Sequence, residues 1–332
     1  MAFVNPWRRT EVAVDFGTSN MRLIRLREGV VFDEPSLCCF TRQGGTASLV
    51  AAGSEAQRMI DRTPPNMVVR RPLRRGVLQD IESAREMLRY GLARAANGKR
   101  LDTARGIFGV PADATEAERG ALLTAAREAG FKSAQLITEP FLAAVGAGLP
   151  IDKPVGTMII ECGAGTTEVA IISLGRICIT RSVRGGGAAI DKAIGDHLHT
   201  QHKFLIGDAT AEALKYAYVD NRTAGAGGAA SLTVKGRCLT SGLPGSIEIP
   251  LSELDHVVEK QVRQIVDVVR DVLIETPPEL SRDIHDHGVL LTGGSSVMPL
   301  LSTMIGEATG LPVSVAQDPA RCVANGLHAM LG

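Results

Sequence analysis

Two short stretches, about half a chain apart, carry one pattern. Val12-Ala-Val-Asp15-Phe-Gly17-Thr18 lays over Ile159-Ile-Glu161-Cys-Gly163-Ala164-Gly165-Thr166-Thr167. Each runs from an apolar strand to a carboxylate, a glycine turn, hydroxyl residues and a second apolar strand. Unrelated hairpins with glycine turns resemble one another by chance. The matched order of carboxylate, glycine and threonine favours a duplication, and with it a chain of two similar halves. A length of 332 residues suits two lobes sharing a cleft better than one core.

The repeat also carries chemistry. Glycine lets a turn backbone approach phosphate oxygens and present its N–H groups as donors. Gly17, Thr18, Ser19 and Asn20 form the first turn; Gly163, Ala164, Gly165 and Thr166 form the second, with Thr167 just beyond. Facing each other, two such hairpins clamp a polyphosphate from both sides. Asp15 and Glu161 would then hold Mg²⁺ through its waters, because that ion dehydrates reluctantly. Neither G-x-x-x-x-G-K-[ST] nor G-x-G-x-x-G occurs, which argues against a P-loop or a Rossmann site.

Around the hairpins strands and helices alternate. Helical spacing covers 81–96, and Thr115 with Glu118 makes a capping box for a helix to about Ala129. Pro140 opens another helix at its tolerated first position. Strands are expected at 158–161, 168–173, 177–182, 288–291 and 312–315, and helices near 187–200, 210–219, 252–275, 297–308 and from about 319. In the long helix Val258, Val262, Ile265, Val266, Val269 and Leu273 form an apolar row that reads as core. The Gly- and Ala-rich stretch 221–230 reads as a loop. So does the stretch around His285, Asp286 and His287. His197, His199 and His202 share a helix, but at 100° per residue 197 and 199 diverge, so they read as a solvated face.

These hairpins resemble the phosphate-binding loops of the actin, Hsp70 and sugar-kinase superfamily, and nearly the whole chain is similar to the MreB family of bacterial actins. The likeness rests on 30–36, Arg71-Pro72-Leu-Arg-Arg-Gly76-Val77, Thr138-Glu139-Pro140-Phe-Leu-Ala-Ala144, Lys235-Gly236-Arg237, Thr276-Pro-Pro-Glu-Leu280, Leu291-Thr-Gly293-Gly294 and 318–326, in family order. It implies an α/β, actin-like fold: two lobes, each a duplicated ribonuclease-H-like domain with a smaller inserted subdomain, and an ATP cleft between. Lobe I is expected over about 1–145, with a small subdomain near 33–66 and the C-terminal helix from about 319; lobe II spans about 146–318, with a small subdomain near 184–250.

The resemblance implies roles as well. Glu139 falls where the family orients the attacking water, and Thr166, with Thr167 beside it, matches a hydroxyl acting on that water. A carboxylate at a helix entry is also what the helix dipole favours, so the residues alone leave both roles open for Glu139. The family places nucleotide contacts at Gly185, Gly186 and Gly187, at Glu212 and Lys215, and at Gly293, Gly294 and Ser295. Read alone, the glycines make a flexible helix entry, and Glu212 with Lys215 makes a solvated ion pair three residues apart. Two departures from the pattern stand out: Glu161 replaces an aspartate, and Ser295 replaces a third glycine. They leave binding of ATP and ADP expected and argue against fast hydrolysis. A self-assembled filament is implied by the family alone. A sugar kinase or a monomeric Hsp70-like ATPase of the same superfold are the alternatives.

Lys plus Arg and Asp plus Glu each number 36, giving zero net charge, and aromatics are only 4%; neither points to nucleic acid. Six cysteines without metal spacing suggest a reducing cytosol. No apolar run approaches ~20 residues, and no leader pattern is present, so a cytoplasmic protein is expected. Phe3, Val4 and Trp7 preceding Arg8 and Arg9 offer peripheral membrane contact, whereas 97–102 is short and polar.

Overall fold

In the computed structural model, which describes residues 12–43, 46–96, 105–225, 227 and 230–331, two five-stranded sheets carry the chain. The first uses Val12–Phe16, Asn20–Arg25, Gly29–Pro35, Arg105–Val110 and Ser133–Thr138. Its first three strands form an antiparallel meander, and the fourth and fifth add in parallel beside the first. The second sheet uses Thr157–Cys162, Thr167–Ser173, Arg176–Val183, Val289–Thr292 and Val313–Val315. Its order and strand directions are the same. The duplication seen in two turns therefore extends to the topology of both halves.

Val12–Phe16, Thr157–Cys162 and Thr167–Ser173 are buried at every residue. They read as continuous apolar runs because both sheet faces are covered. The long helix Leu251–Glu275 covers one face of the second sheet with its buried row. Two helices, Glu139–Gly146 and Cys322–Leu331, lie between the sheets. Leu142 packs with Ala13, Ile24 and Ile107 of the first sheet, and Ala143 and Ala144 with Ile159, Ala170 and Ile172 of the second. The two helices touch backbone to backbone: a Cβ on Gly146 would lie 1.8 Å from the Cys322 carbonyl oxygen, and one on Gly326 would lie 1.9 Å from that of Leu142.

Each half also carries a three-stranded sheet. Cys38–Gln43 is central between Thr46–Ala52 and Met67–Arg70, beside the short helix Gly53–Arg58. Ser231–Cys238 is central between Phe204–Leu205 and Pro244–Pro250, near helices Gly187–Gln201 and Asp208–Thr223.

The Thr115 capping box forms on both sides: Thr115 Oγ1 accepts from the Glu118 N–H, and the Glu118 carboxylate accepts from the Thr115 N–H at 2.7 Å. Two loop expectations need correction. The helix before the Gly/Ala-rich stretch continues through Thr223 rather than ending near 219. His285 and His287 lie on a helix, Pro278–His287, not a loop. Pro277-Pro278 ends one helix and opens the next, since proline lacks only an N–H that a first turn leaves unpaired anyway. The N-terminal segment and 97–102 lie outside the described residues.

Candidate functional site

The two hairpin turns close in the same way. The Gly17 N–H donates to the Asn20 carbonyl at 3.0 Å, and the Gly163 N–H to the Thr166 carbonyl at 2.9 Å. They meet at a cleft of about 1860 Å³, lined by both turns. A third element lies between them. Gly76, at φ +71°, donates its N–H to Thr18 Oγ1 at 3.1 Å, and a Cβ there would lie 2.4 Å from Thr166 Cγ2. On the opposite turn a Cβ on Gly165 would lie 2.2 Å from Thr18 Oγ1 and 2.5 Å from the Gly76 nitrogen. Only glycine lets three backbone segments come this close. The Arg71–Val77 segment carries no local mark of a place in the site beyond a glycine followed by an apolar residue.

Strand register places the carboxylates. Asp15 sits across from Arg22, which bonds it at 2.9 Å and also bonds Asp33. Burial pushes the Asp15 carboxyl up, and the guanidinium pulls against that shift. In the second hairpin the same register puts Glu168, not a cation, across from Glu161. Glu139, the first residue of its helix, completes the group: ligand atoms of Glu139, Glu161 and Glu168 all lie within 4.8 Å of one another. Burial, then the neighbouring carboxylates, raise Glu139 and Glu161 well above the usual range. Burial likewise raises Glu168 to about 7, against hydrogen bonds from the Ala112 N–H at 2.7 Å and Ser182 Oγ at 2.9 Å. Glu168 is legible from sequence only as the start of a strand, though it stands seven residues after Glu161, as Arg22 does after Asp15.

The far side of the cleft comes from the second half. Lys215 is buried and bonds Asp191 at 2.9 Å, with a longer contact to the Gly187 carbonyl at 3.3 Å. It makes no ion pair with Glu212, which lines the cleft without a charged partner among the described residues. Ser295 Oγ donates to the Gly163 carbonyl at 2.9 Å, and Gly293, at φ +85°, lies where a Cβ would meet the Cys162 carbonyl oxygen at 2.3 Å. Gly185, Gly187, Gly294 and Ser295 line the cleft. Gly186 and Thr167 do not: Gly186 packs against the Gly163 carbonyl, and the fully buried Thr167 donates its hydroxyl to the Gly185 carbonyl at 2.9 Å. Ser19 Oγ donates to Asn20 Oδ1, and Asn20 in turn to Asp33.

The residues fit a hard divalent cation. Glu161 Oε2 and Glu168 Oε2 are buried without a hydrogen-bond partner, and three neighbouring carboxylates cannot all ionise without a compensating positive charge. The burial of Glu168 has a consequence for stability. A carboxyl raised in the folded state binds more protons folded than unfolded. Its stabilising contribution is full below the ordinary value of 4.5 and is lost as pH rises toward about 7. Near neutrality the penalty is on the order of 3 kcal/mol. Glu168→Gln removes it and places an amide donor toward the other two acids. Its expected effect is a melting temperature several degrees higher for the nucleotide-free chain at about pH 8, with a flatter dependence from pH 5 to 7. Thermal scans across that range check it; equal or lower stability in the variant would refute the burial penalty.

A family model described as MreB/Mbl protein matches residues 9–332. The chain is 35% identical over 325 residues to the cell shape-determining protein Mbl of Bacillus subtilis (strain 168), covering 97% of this chain and 95% of the relative. It is 36% identical over 323 residues to the cell shape-determining protein MreB of Escherichia coli (strain K12), covering 95% and 91%. Among solved structures, MreB 5 of Spiroplasma citri bound to AMPPNP superposes with a TM-score of 0.86 at 32% identity, over 97% of this chain and 95% of that one. A MamK double helical filament shares the fold at a TM-score of 0.78 and 21% identity, over 97% and 98%. The actin-like, two-lobed fold follows from these likenesses together with the duplicated sheets.

Proposed function

The chain belongs to the MreB/Mbl family, and on that premise we propose that it is an ATP-binding actin homologue that polymerises into nucleotide-dependent cytoskeletal filaments and acts in cell-shape determination. The observation that carries this reading is the meeting of two equivalent glycine turns across one cleft, with a cluster of uncompensated carboxylates beside them. Relatives named for cell-shape determination, and a similar structure bound to AMPPNP or ADP, support it.

In this reading the polyphosphate of ATP or ADP lies between the turns. The backbone N–H groups of 17–20 and 163–166 donate to it, with Thr18 and Ser19 hydroxyls beside them. Gly185, Gly187, Gly293, Gly294 and Ser295 let the backbone lie close against the base and sugar, and Glu212 and Lys215 contact ribose and adenine. Asp191 holds the Lys215 ammonium at a fixed place, so that contact is preorganised. Asp15 and Glu161 would hold Mg²⁺, whose charge offsets both the phosphates and the acid cluster. Glu139 orients the attacking water and accepts its proton, and the Thr166 hydroxyl holds the same water. The Thr167 hydroxyl is already engaged, which leaves Thr166 alone in that role. Phosphoryl transfer to water needs little more than such positioning and charge stabilisation.

No helix among the described residues is long and apolar enough to cross a membrane. In the same reading Phe3, Val4, Trp7, Arg8 and Arg9 provide peripheral membrane contact. Sedimentation with and without ATP and Mg²⁺, run beside phosphate release with candidate sugars, tests the function. Filaments pelleting above a critical concentration only with nucleotide are expected. Persistent monomers, or phosphate transfer to a sugar, would replace this reading with a chaperone-type ATPase or a kinase.

A further inference from the structure

Away from the cleft, two histidines and a glutamate converge. His197 lies on the helix Gly187–Gln201, and His202 is the residue that ends it. Glu253 comes from the first turn of Leu251–Glu275, more than fifty positions away in the chain. His197 Nε2 lies 2.5 Å from Glu253 Oε1, and His202 Nε2 lies 2.6 Å from that same oxygen. All three ligand atoms fall within 4.8 Å of one another. The rings stand 6.0 Å apart at 62°, so neither stacks on nor blocks the other. Helical spacing makes 197 and 199 diverge and reads all three histidines as a solvated face. In the structure His199 lines the cleft, while His202, the residue that ends the helix, meets His197 at Glu253.

We propose that His197, His202 and Glu253 form a binding site for a borderline divalent transition metal, with Zn²⁺ as its natural occupant. Both imidazoles aim their Nε2 atoms at one carboxylate oxygen rather than sharing its two. That convergence places two imidazole nitrogens and one carboxylate oxygen around a single point. Two imidazoles and a carboxylate suit Zn²⁺, Co²⁺ or Ni²⁺, whereas Mg²⁺ and Ca²⁺ prefer oxygen sets. Tetrahedral ligands at ~2.1 Å from an ion stand roughly 3.4 Å apart, so the carboxylate must withdraw from each ring by a little under ~1 Å. The side chains are 24%, 29% and 27% exposed, which allows that movement and leaves a fourth position to water. Bound metal would tie the end of one helix to the start of another that packs against it.

The test uses the full chain without a histidine tag, freed of metal, titrated with Zn²⁺ and separately with Co²⁺. One tight equivalent is expected, with a tetrahedral Co²⁺ absorption band and a chelator-reversible rise in melting temperature. His197→Ala, His202→Ala and Glu253→Gln should each weaken Zn²⁺ binding by more than about tenfold. Glu253→Gln is the decisive variant, because its amide oxygen still accepts from both rings and preserves the fold while losing the anionic ligand. His285→Ala, on the exposed Pro278–His287 helix, should bind Zn²⁺ like the parent. Nucleotide affinity should be unchanged in all four. Zn²⁺ titrations of Glu253→Gln and His197→Ala that superimpose on the parent, or a parent that shows no Co²⁺ band, would overturn the assignment.

Discussion

Glu139→Ala is expected to slow single-turnover ATP hydrolysis by about 100-fold or more while leaving ATP affinity within a few-fold of the parent. The side chain lines the cleft at the start of its helix, and a positioned base contributes to rate without contributing much to ground-state binding. Unfolding would not explain such a loss. Removing one of three crowded carboxylates relieves repulsion, so the variant should be at least as stable as the parent. Single-turnover rates on matched filament mass separate chemistry from assembly. Unchanged turnover would leave Glu139 as a helix-entry carboxylate only. In the same assay Glu161→Asp should raise phosphate release several-fold, since shortening the acid restores the family's geometry around the reacting phosphate. The opposing possibility is visible in the backbone: a Cβ on Gly293 would lie 2.6 Å from Glu161 Oε1, so the glycine already makes room for the longer side chain. A slower Glu161→Asp enzyme would mean that the pocket is built for glutamate.

Gly165→Val is expected to abolish measurable binding of ATP and ADP, a loss of more than about 100-fold, or roughly 3 kcal/mol. Its Cβ would start 2.2 Å from Thr18 Oγ1 and 2.5 Å from the Gly76 nitrogen, and that nitrogen is backbone that cannot rotate away. The two turns must then separate, and a polyphosphate can no longer touch both. Each half keeps its own sheet and core, so the variant should still fold. Gly163→Ala provides the comparison. Its Cβ would lie 3.2 Å from the Thr166 carbonyl oxygen, which a small shift accommodates, so binding should fall far less. Calorimetry on both variants decides the matter; normal affinity in Gly165→Val would show that the nucleotide does not need the turns together.

Local order along the chain was enough to find the hairpins. Asp15 and Gly17, like Glu161 and Gly163, stand two residues apart, and a turn closed between Gly17 and Asn20 depends only on neighbours. The long helix was equally legible, because its buried row repeats at helical spacing. The strands at 38–43, 231–238 and 244–250 were not, since a three-stranded sheet is stabilised by its partners more than by any one strand's pattern.

The sequence by itself determined that the chain is doubled, which turns line the cleft, and which family it resembles. Tertiary structure alone decided who stands beside whom. Gly76 reaches Thr18 across 58 positions, Lys215 takes Asp191 across 24 instead of Glu212 across three, and Glu253 gathers two histidines from over fifty positions away. Even Glu168 joins Glu161 only because antiparallel register sets them opposite, and joins Glu139 only because the two sheets clasp the same helix. Periodicity records which face of an element is apolar and says nothing of which distant element will cover it. The charges in this cleft are therefore perturbed by neighbours that no window along the chain contains.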